Sequence, residues 1–166
     1  RWGRYNVVPN AMTEIELLRD IDDDGMPDVI YGADGSFAYA SPDKSNPTAP
    51  WTMHRISERG TVNAHGMGVG DMNGDGRLDL VASRGWWEQP PKGSTQETWQ
   101  FHPANFGMGG AEMAVYDVNG DGLTDVVTAI ANGSVMNYLR PPSSVCAARP
   151  RRHLAAPCAD AETARA

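Results

Sequence analysis

Cysteine is nearly missing: Cys146 and Cys158 are the two in 166 residues, both near the C-terminal end. They could pair in an oxidising compartment, but two cysteines placed there say little about redox setting. Long apolar runs are missing too, so no segment reaches the length of a membrane span, and no signal peptide is visible. Basic clusters are also lacking. The chain has 14 Lys and Arg against 21 Asp and Glu, a formal net charge of −7, which argues against nucleic acid as a partner. No nucleophile elbow, phosphate loop or zinc cluster is found, so no catalytic residue is named. The chain is long enough for one domain with a real core. Its start on Arg1 rather than Met reads as a mature or excised piece.

What is abundant is acid in three short stretches. "DIDDDGMPD" (residues 20–28), "DMNGDGRLD" (71–79) and "DVNGDGLTD" (117–125) share the pattern D-x-[DN]-x-D-G-x-x-D. Of the 19 acids in residues 1–140, 11 lie in these loops. Carboxylates so close together repel one another unless a cation joins them. In the middle loop Asp71, Asn73 and Asp75 alternate, Gly76 allows a sharp turn, Arg77 offers its backbone carbonyl and Asp79 closes the set. A hard ion such as calcium selects that arrangement of oxygens. One Asp-Asn-Gly cluster is also ordinary turn chemistry, but three in register are not. The first loop has carboxylates at all four side-chain positions, Asp20, Asp22, Asp24 and Asp28, whereas the others have Asn73 and Asn119 at the third position. Ligand charge tunes calcium affinity, so the first site is expected to be the tightest.

Position twelve separates the loop types. An EF-hand needs Glu there, between helices, and this chain has Tyr31, Ala82 and Thr128. Each loop runs instead into strand-like sequence, "PDVIYG", "LDLVAS" and "TDVVTA", rich in the β-branched residues that suit a pleated surface.

The loop starts at 20, 71 and 117 lie 51 and 46 residues apart, and tryptophan keeps the same beat. "WGRY" at Trp2, "WTMH" at Trp51 and "WQFH" at Trp99 precede the loops by 18, 20 and 18 residues. A hairpin follows each loop, with Gly35, Gly85 and Gly133 expected at its turn. Each unit thus reads as four short strands: one ending at the loop, two in the hairpin, and an outer one carrying W-x-x-[HY]. Four-stranded units at this period are the signature of propeller blades.

Together with the glycine-rich approaches "HGMGVGD" (65–71) and "FGMGGAEMAVYD" (106–117), these loops resemble FG-GAP or VCBS-type repeats, the calcium-loop blades of integrin α-subunits and many secreted bacterial proteins. The resemblance covers residues 2 to about 142. It implies an all-β propeller fold, calcium between the first and second strands of each blade, and an extracellular or cell-envelope setting. Carried over residue by residue, it implies three calcium sites: Asp20, Asp22, Asp24, Asp28 with the Met26 carbonyl; Asp71, Asn73, Asp75, Asp79 with that of Arg77; and Asp117, Asn119, Asp121, Asp125 with that of Leu123. In family terms that calcium is structural.

The expected organisation is an outer strand at 1–9, blades at 13–58, 64–105 and 111–142, and a disordered or aberrant tail at 143–166. Phe37, Trp87 and Val135 share one hairpin column and are expected between blades. Trp86 falls with Ser36 and Ser134, which makes it the odd residue, a packing aromatic or a platform for a ligand. Trp2, Trp51 and Trp99 are expected in the core, and His54 and His102 in repeated hydrogen bonds. His65, in the column of Glu14 and Ala111, is the second possible ligand contact. The end blades are expected to leave apolar faces uncovered, since Leu18, Val29, Val69, Val81, Val115 and Val127 recur in apolar columns, and so to favour self-association. The function expected is a non-catalytic, calcium-binding module for a protein or carbohydrate ligand. The alternative is a fragment of a carbohydrate-active enzyme, because some polysaccharide lyases use propellers with similar aspartate loops.

Overall fold

The computed structural model describes residues 1–62, 65–107 and 112–129, together with the backbone of 136–139. The expectations placed on Ala111, Gly133, Ser134, Val135 and the 143–166 segment with its two cysteines lie outside the described residues.

Eleven strands form among them, all in antiparallel meanders. Sheet one is β1 (Leu17–Arg19), β2 (Asp28–Ala33), β3 (Ser36–Ser41) and β4 (Thr52–Arg55). Sheet two is β5 (Met67–Gly70), β6 (Asp79–Ala82), β7 (Gly85–Glu88) and β8 (Gln100–Pro103). Sheet three holds β9 (Met113–Tyr116), β10 (Asp125–Ala129) and β11 (Met136–Leu139). The chain is all-β, an open array of three propeller-type blades. Each acidic loop joins the first strand of a sheet to the second, and Trp51 and Trp99 stand immediately before the outer strands β4 and β8.

The sheets stack through their faces. Between sheets one and two lie Ile30 and Phe37 from one side and Leu80, Ala82 and Trp87 from the other, with Ile21, Ile56, Met67 and Trp99 completing the cluster. Phe37 and Trp87 meet at 5.2 Å between ring centroids, so these two fill the space between blades as expected, although the register puts them in different columns, opposite Gly32 and Leu80. Between sheets two and three lie Val81, Met113 and Val126. β6 is accordingly buried at every position, because both faces of its sheet are covered. Each large apolar side chain removed from water there contributes roughly 1.5–3 kcal/mol. Sheets two and three approach most closely at their inner strands. A Cβ on Gly68 would lie 2.0 Å from the Met113 carbonyl oxygen, and one on Gly70 would lie 2.3 Å from the Val115 side chain.

Three expectations are corrected by the register and a fourth by burial. Asp34 and Gly35 do form the turn of the first hairpin, but in the second the turn residues are Ser83 and Arg84, and Gly85 is the first residue of β7, paired with Ala82. That hairpin is two residues shorter, which moves the columns. Counted from the loops, Tyr39 opposite Ile30, Trp86 opposite Val81 and Tyr138 opposite Val127 are equivalent positions. Trp86 is therefore not an odd residue. Val29 aligns with Leu80 and Val126 rather than with Val81 and Val127. Finally, Trp99 is buried and Trp51 half-buried, but Trp2 is fully exposed at 102%, and Leu18 is 57% exposed. The outer face of sheet one is not bare: Tyr31, Ala33, Ala38 and Ala40 are buried, with Val8 and Trp51 packed against them.

Candidate metal centres

All three loops are built by the same backbone hydrogen bonds. The first aspartate caps the turn, accepting the N–H groups four and five residues ahead. Asp20 accepts from Asp24 and Gly25 at 3.0 and 2.9 Å, Asp71 from Asp75 and Gly76 at 3.1 and 3.0 Å, and Asp117 from Asp121 and Gly122 at 3.1 and 2.8 Å. The glycine at position six has φ of +87, +88 and +81° for Gly25, Gly76 and Gly122, a left-handed conformation that disfavours a side chain. The ninth-position aspartate ties the loop to the sheet. Asp28, Asp79 and Asp125 are completely buried, and each accepts the N–H of the second loop residue, from Ile21, Met72 and Val118 at 2.9, 2.8 and 3.0 Å. The carbonyl-bearing residues Met26, Arg77 and Leu123 donate their own N–H to Asp24, Asp75 and Asp121 at 2.8, 2.8 and 2.9 Å.

The free oxygens distinguish the loops. In the first, one carboxylate oxygen from each of Asp20, Asp22 and Asp28 lies within 4.8 Å of the others, so these residues can hold a metal ion. Asp22 Oδ1 and Asp28 Oδ1 are buried with no hydrogen-bond partner. Two anionic oxygens desolvated side by side are strongly unfavourable without a cation. Burial, then the neighbouring carboxylates of Asp28, Asp24 and Asp20, pushes the Asp22 carboxyl above its usual value. Those donors fit a hard, oxygen-seeking ion.

In the middle loop the same oxygens are engaged. Asp75 accepts from the Asn73 amide at 2.9 Å and pairs with the Arg77 guanidinium. Asp79 Oδ1 accepts the Gln89 N–H at 2.9 Å. Burial pushes Asp79 up to about 6, although the Gln89 and Met72 N–H groups act in the other direction. In the third loop Asn119 donates to Asp121 at 3.1 Å, and position seven is buried Leu123 rather than an arginine. Thr124 Oγ1 donates to the Asp71 carbonyl at 2.6 Å and links the last two loops.

Trp86 stacks on His102 at 4.1 Å and 11°, and His102 Nε2 lies 2.7 Å from Glu88. Tyr39 stacks in the same way on His54 at 4.7 Å and 17°. The repeated partnership of these histidines is thus a cross-strand stack, and the expected hydrogen bond is seen at His102. His65 forms an exposed pair with Glu14 at 3.1 Å, and the hollow beside it, about 10 Å³, is too small for a ligand.

Periodicity did not reveal a cleft of about 830 Å³ between the first loop and residues 89–97 of the second blade. Tyr39, His54 and Trp99 line it, with Arg55, Lys92 and Glu97. Burial, with Asp22 and Asp28 nearby, pushes the Tyr39 phenol up to about 12, so it is a hydrogen-bond donor at neutral pH. Only the cross-strand register, which brings Tyr39 opposite His54, exposes this grouping.

No curated protein and no solved structure matches the chain. Residues 20–82, from the first loop through the second strand of the second blade, match the family model of the FG-GAP-like repeat, so this stretch of the chain is an FG-GAP-like repeat.

Proposed function

We propose that this chain is a non-catalytic, calcium-stabilised propeller module of an extracellular or cell-envelope protein, and that it binds a protein or carbohydrate ligand. The observation that carries the calcium reading is the pair of buried, unpartnered oxygens of Asp22 and Asp28 converging with Asp20. Shared loop architecture extends the reading to all three sites, with the first expected to be the tightest. FG-GAP repeats are typical of extracellular proteins, which supports the setting. The cleft beside the first loop offers the aromatic and polar lining that a saccharide uses, and the same cleft would serve the alternative, a fragment of a carbohydrate-active enzyme. Self-association through the end blades belongs to the same proposal.

The experiment is thermal unfolding with calcium and with chelator, paired with calcium titration calorimetry. One site filled at a hundred times its Kd adds roughly 2.7 kcal/mol to stability. Asp22→Ala should abolish the tightest binding step and leave the weaker ones. Equal melting midpoints in millimolar calcium and in chelator would refute the calcium reading.

A further inference from the structure

The first and second loops are built alike, and the sheets that carry them differ at the residue after the third strand. β7 ends at Glu88 and is followed by Gln89, whereas β3 ends at Ser41 and is followed by Pro42. The pairing of Leu80 with Trp87 and of Val29 with Ala40 sets Gln89 and Pro42 at equivalent places, each one step beyond the residue opposite the ninth-position aspartate. Neither lies within a strand, so proline costs no ladder hydrogen bond there.

What proline removes is a donor. The Gln89 N–H donates to Asp79 Oδ1 at 2.9 Å and the Met72 N–H to Asp79 Oδ2 at 2.8 Å, so both oxygens of that buried carboxylate are engaged. Asp28 Oδ2 accepts from Ile21 at 2.9 Å in the same way. Asp28 Oδ1, the counterpart of the oxygen that Gln89 serves, is buried with no hydrogen-bond partner. Pro42 is buried too, and it occupies the donor's place without an N–H. A carboxylate oxygen withheld from water and from protein donors is costly to keep. Asp28 nevertheless keeps one, and offers an oxygen within 4.8 Å of oxygens of Asp20 and Asp22.

Gln89 serves the middle loop a second time. Its carbonyl accepts from Arg77 Nε at 2.9 Å, which holds the guanidinium that pairs with Asp75. One residue therefore supplies a donor to Asp79 through its N–H and anchors a cation for Asp75 through its carbonyl. The first loop has neither device, because its position seven is the uncharged Met26 and its third strand is followed by Pro42.

We infer that the residue after the third strand sets the calcium affinity of these two loops: Pro42 keeps Asp28 Oδ1 open as a ligand oxygen in the first, and Gln89 occupies the equivalent oxygen in the second. This rests on the calcium reading of the loops and adds a determinant that lies outside the acidic pattern. Both are positioning residues. An ion entering the first loop finds an oxygen with no competing proton. An ion entering the second has to displace the Gln89 N–H from Asp79 or do without that oxygen.

Calcium titration calorimetry of the full chain tests this in both directions. Pro42→Ala restores an N–H and should weaken the tightest binding step about tenfold, the scale of one hydrogen bond to a charged acceptor. Gln89→Pro should do the opposite at the middle site. That site is read in a chain carrying Asp22→Ala and Asp121→Ala, which disable the outer loops, and against Gln89→Ala, which removes the same side chain and retains the N–H. The proline variant should bind calcium about tenfold more tightly than the alanine variant. A merely structural role or a damaged fold produces no gain of affinity, so this arm decides the matter even where Pro42→Ala fails to fold. A wild type that binds no calcium overturns the calcium reading and this inference with it. Calcium binding by wild type, with an unchanged tightest step in folded Pro42→Ala or with Gln89→Pro no tighter than Gln89→Ala, overturns the inference alone.

Discussion

In the metal-free chain Asp79 is completely buried, and burial pushes its carboxyl up to about 6. The folded chain then holds this proton more tightly than the unfolded one, whose aspartate titrates near 3.8. Stability is lost as pH rises from that unfolded value through the folded one, the reverse of a salt-bridged aspartate. The full loss is about 3 kcal/mol, of which about 2 kcal/mol falls between about pH 4.5 and about pH 7.5. The half-buried Asp22 shifts in the same direction. A bound cation favours the ionised carboxylates and opposes this slope. The assay is urea unfolding at the two pH values, in metal-free buffer and in calcium, for wild type and Asp79→Asn. Asparagine cannot titrate, so the metal-free variant should lose about 2 kcal/mol less than wild type over that interval. Equal pH slopes for the two metal-free proteins would refute the reasoning.

Gly68→Ala should destabilise the chain by about 3 kcal/mol in denaturant unfolding, because the new Cβ meets a backbone oxygen that can move only by parting sheets two and three. Arg77→Gln should tighten calcium at the middle site about fivefold by calorimetry, since the half-buried guanidinium competes with the ion for Asp75; unchanged affinity would show that Arg77 yields at no cost.

The loops were legible because their chemistry is local. Ligand spacing, the position-six glycine and the turn into β-branched sequence all lie within a dozen residues, and every loop stands where the pattern put it, between first and second strands. The hairpins were less legible. Gly35 and Gly85 share a sequence column, but turn placement depends on strand length, and β6 ends two residues earlier than β2. The aromatic column of Tyr39 and Trp86 was hidden by that difference. Trp2 failed as a core residue because a periodic tryptophan is buried only where a preceding outer strand covers it. Gly68 and Gly70 looked like motif glycines, whereas their role is to let β9 approach.

The loop geometry also bears on what calcium would do at the sites proposed for it. In each loop the N–H groups at positions two, five and six are already satisfied by the first and ninth aspartates. The turn therefore stands on protein hydrogen bonds, and an ion entering it has little backbone left to order. What the ion relieves is electrostatic, and relief should be largest where the oxygens have no other partner. Asp22 and Asp28 meet that condition in the first loop, whereas Asn73, Arg77 and Gln89 already engage the middle one. If the proposed sites hold calcium, its removal should thus leave the three sheets formed and lower the stability of the chain unevenly, most at the first blade and least at the second.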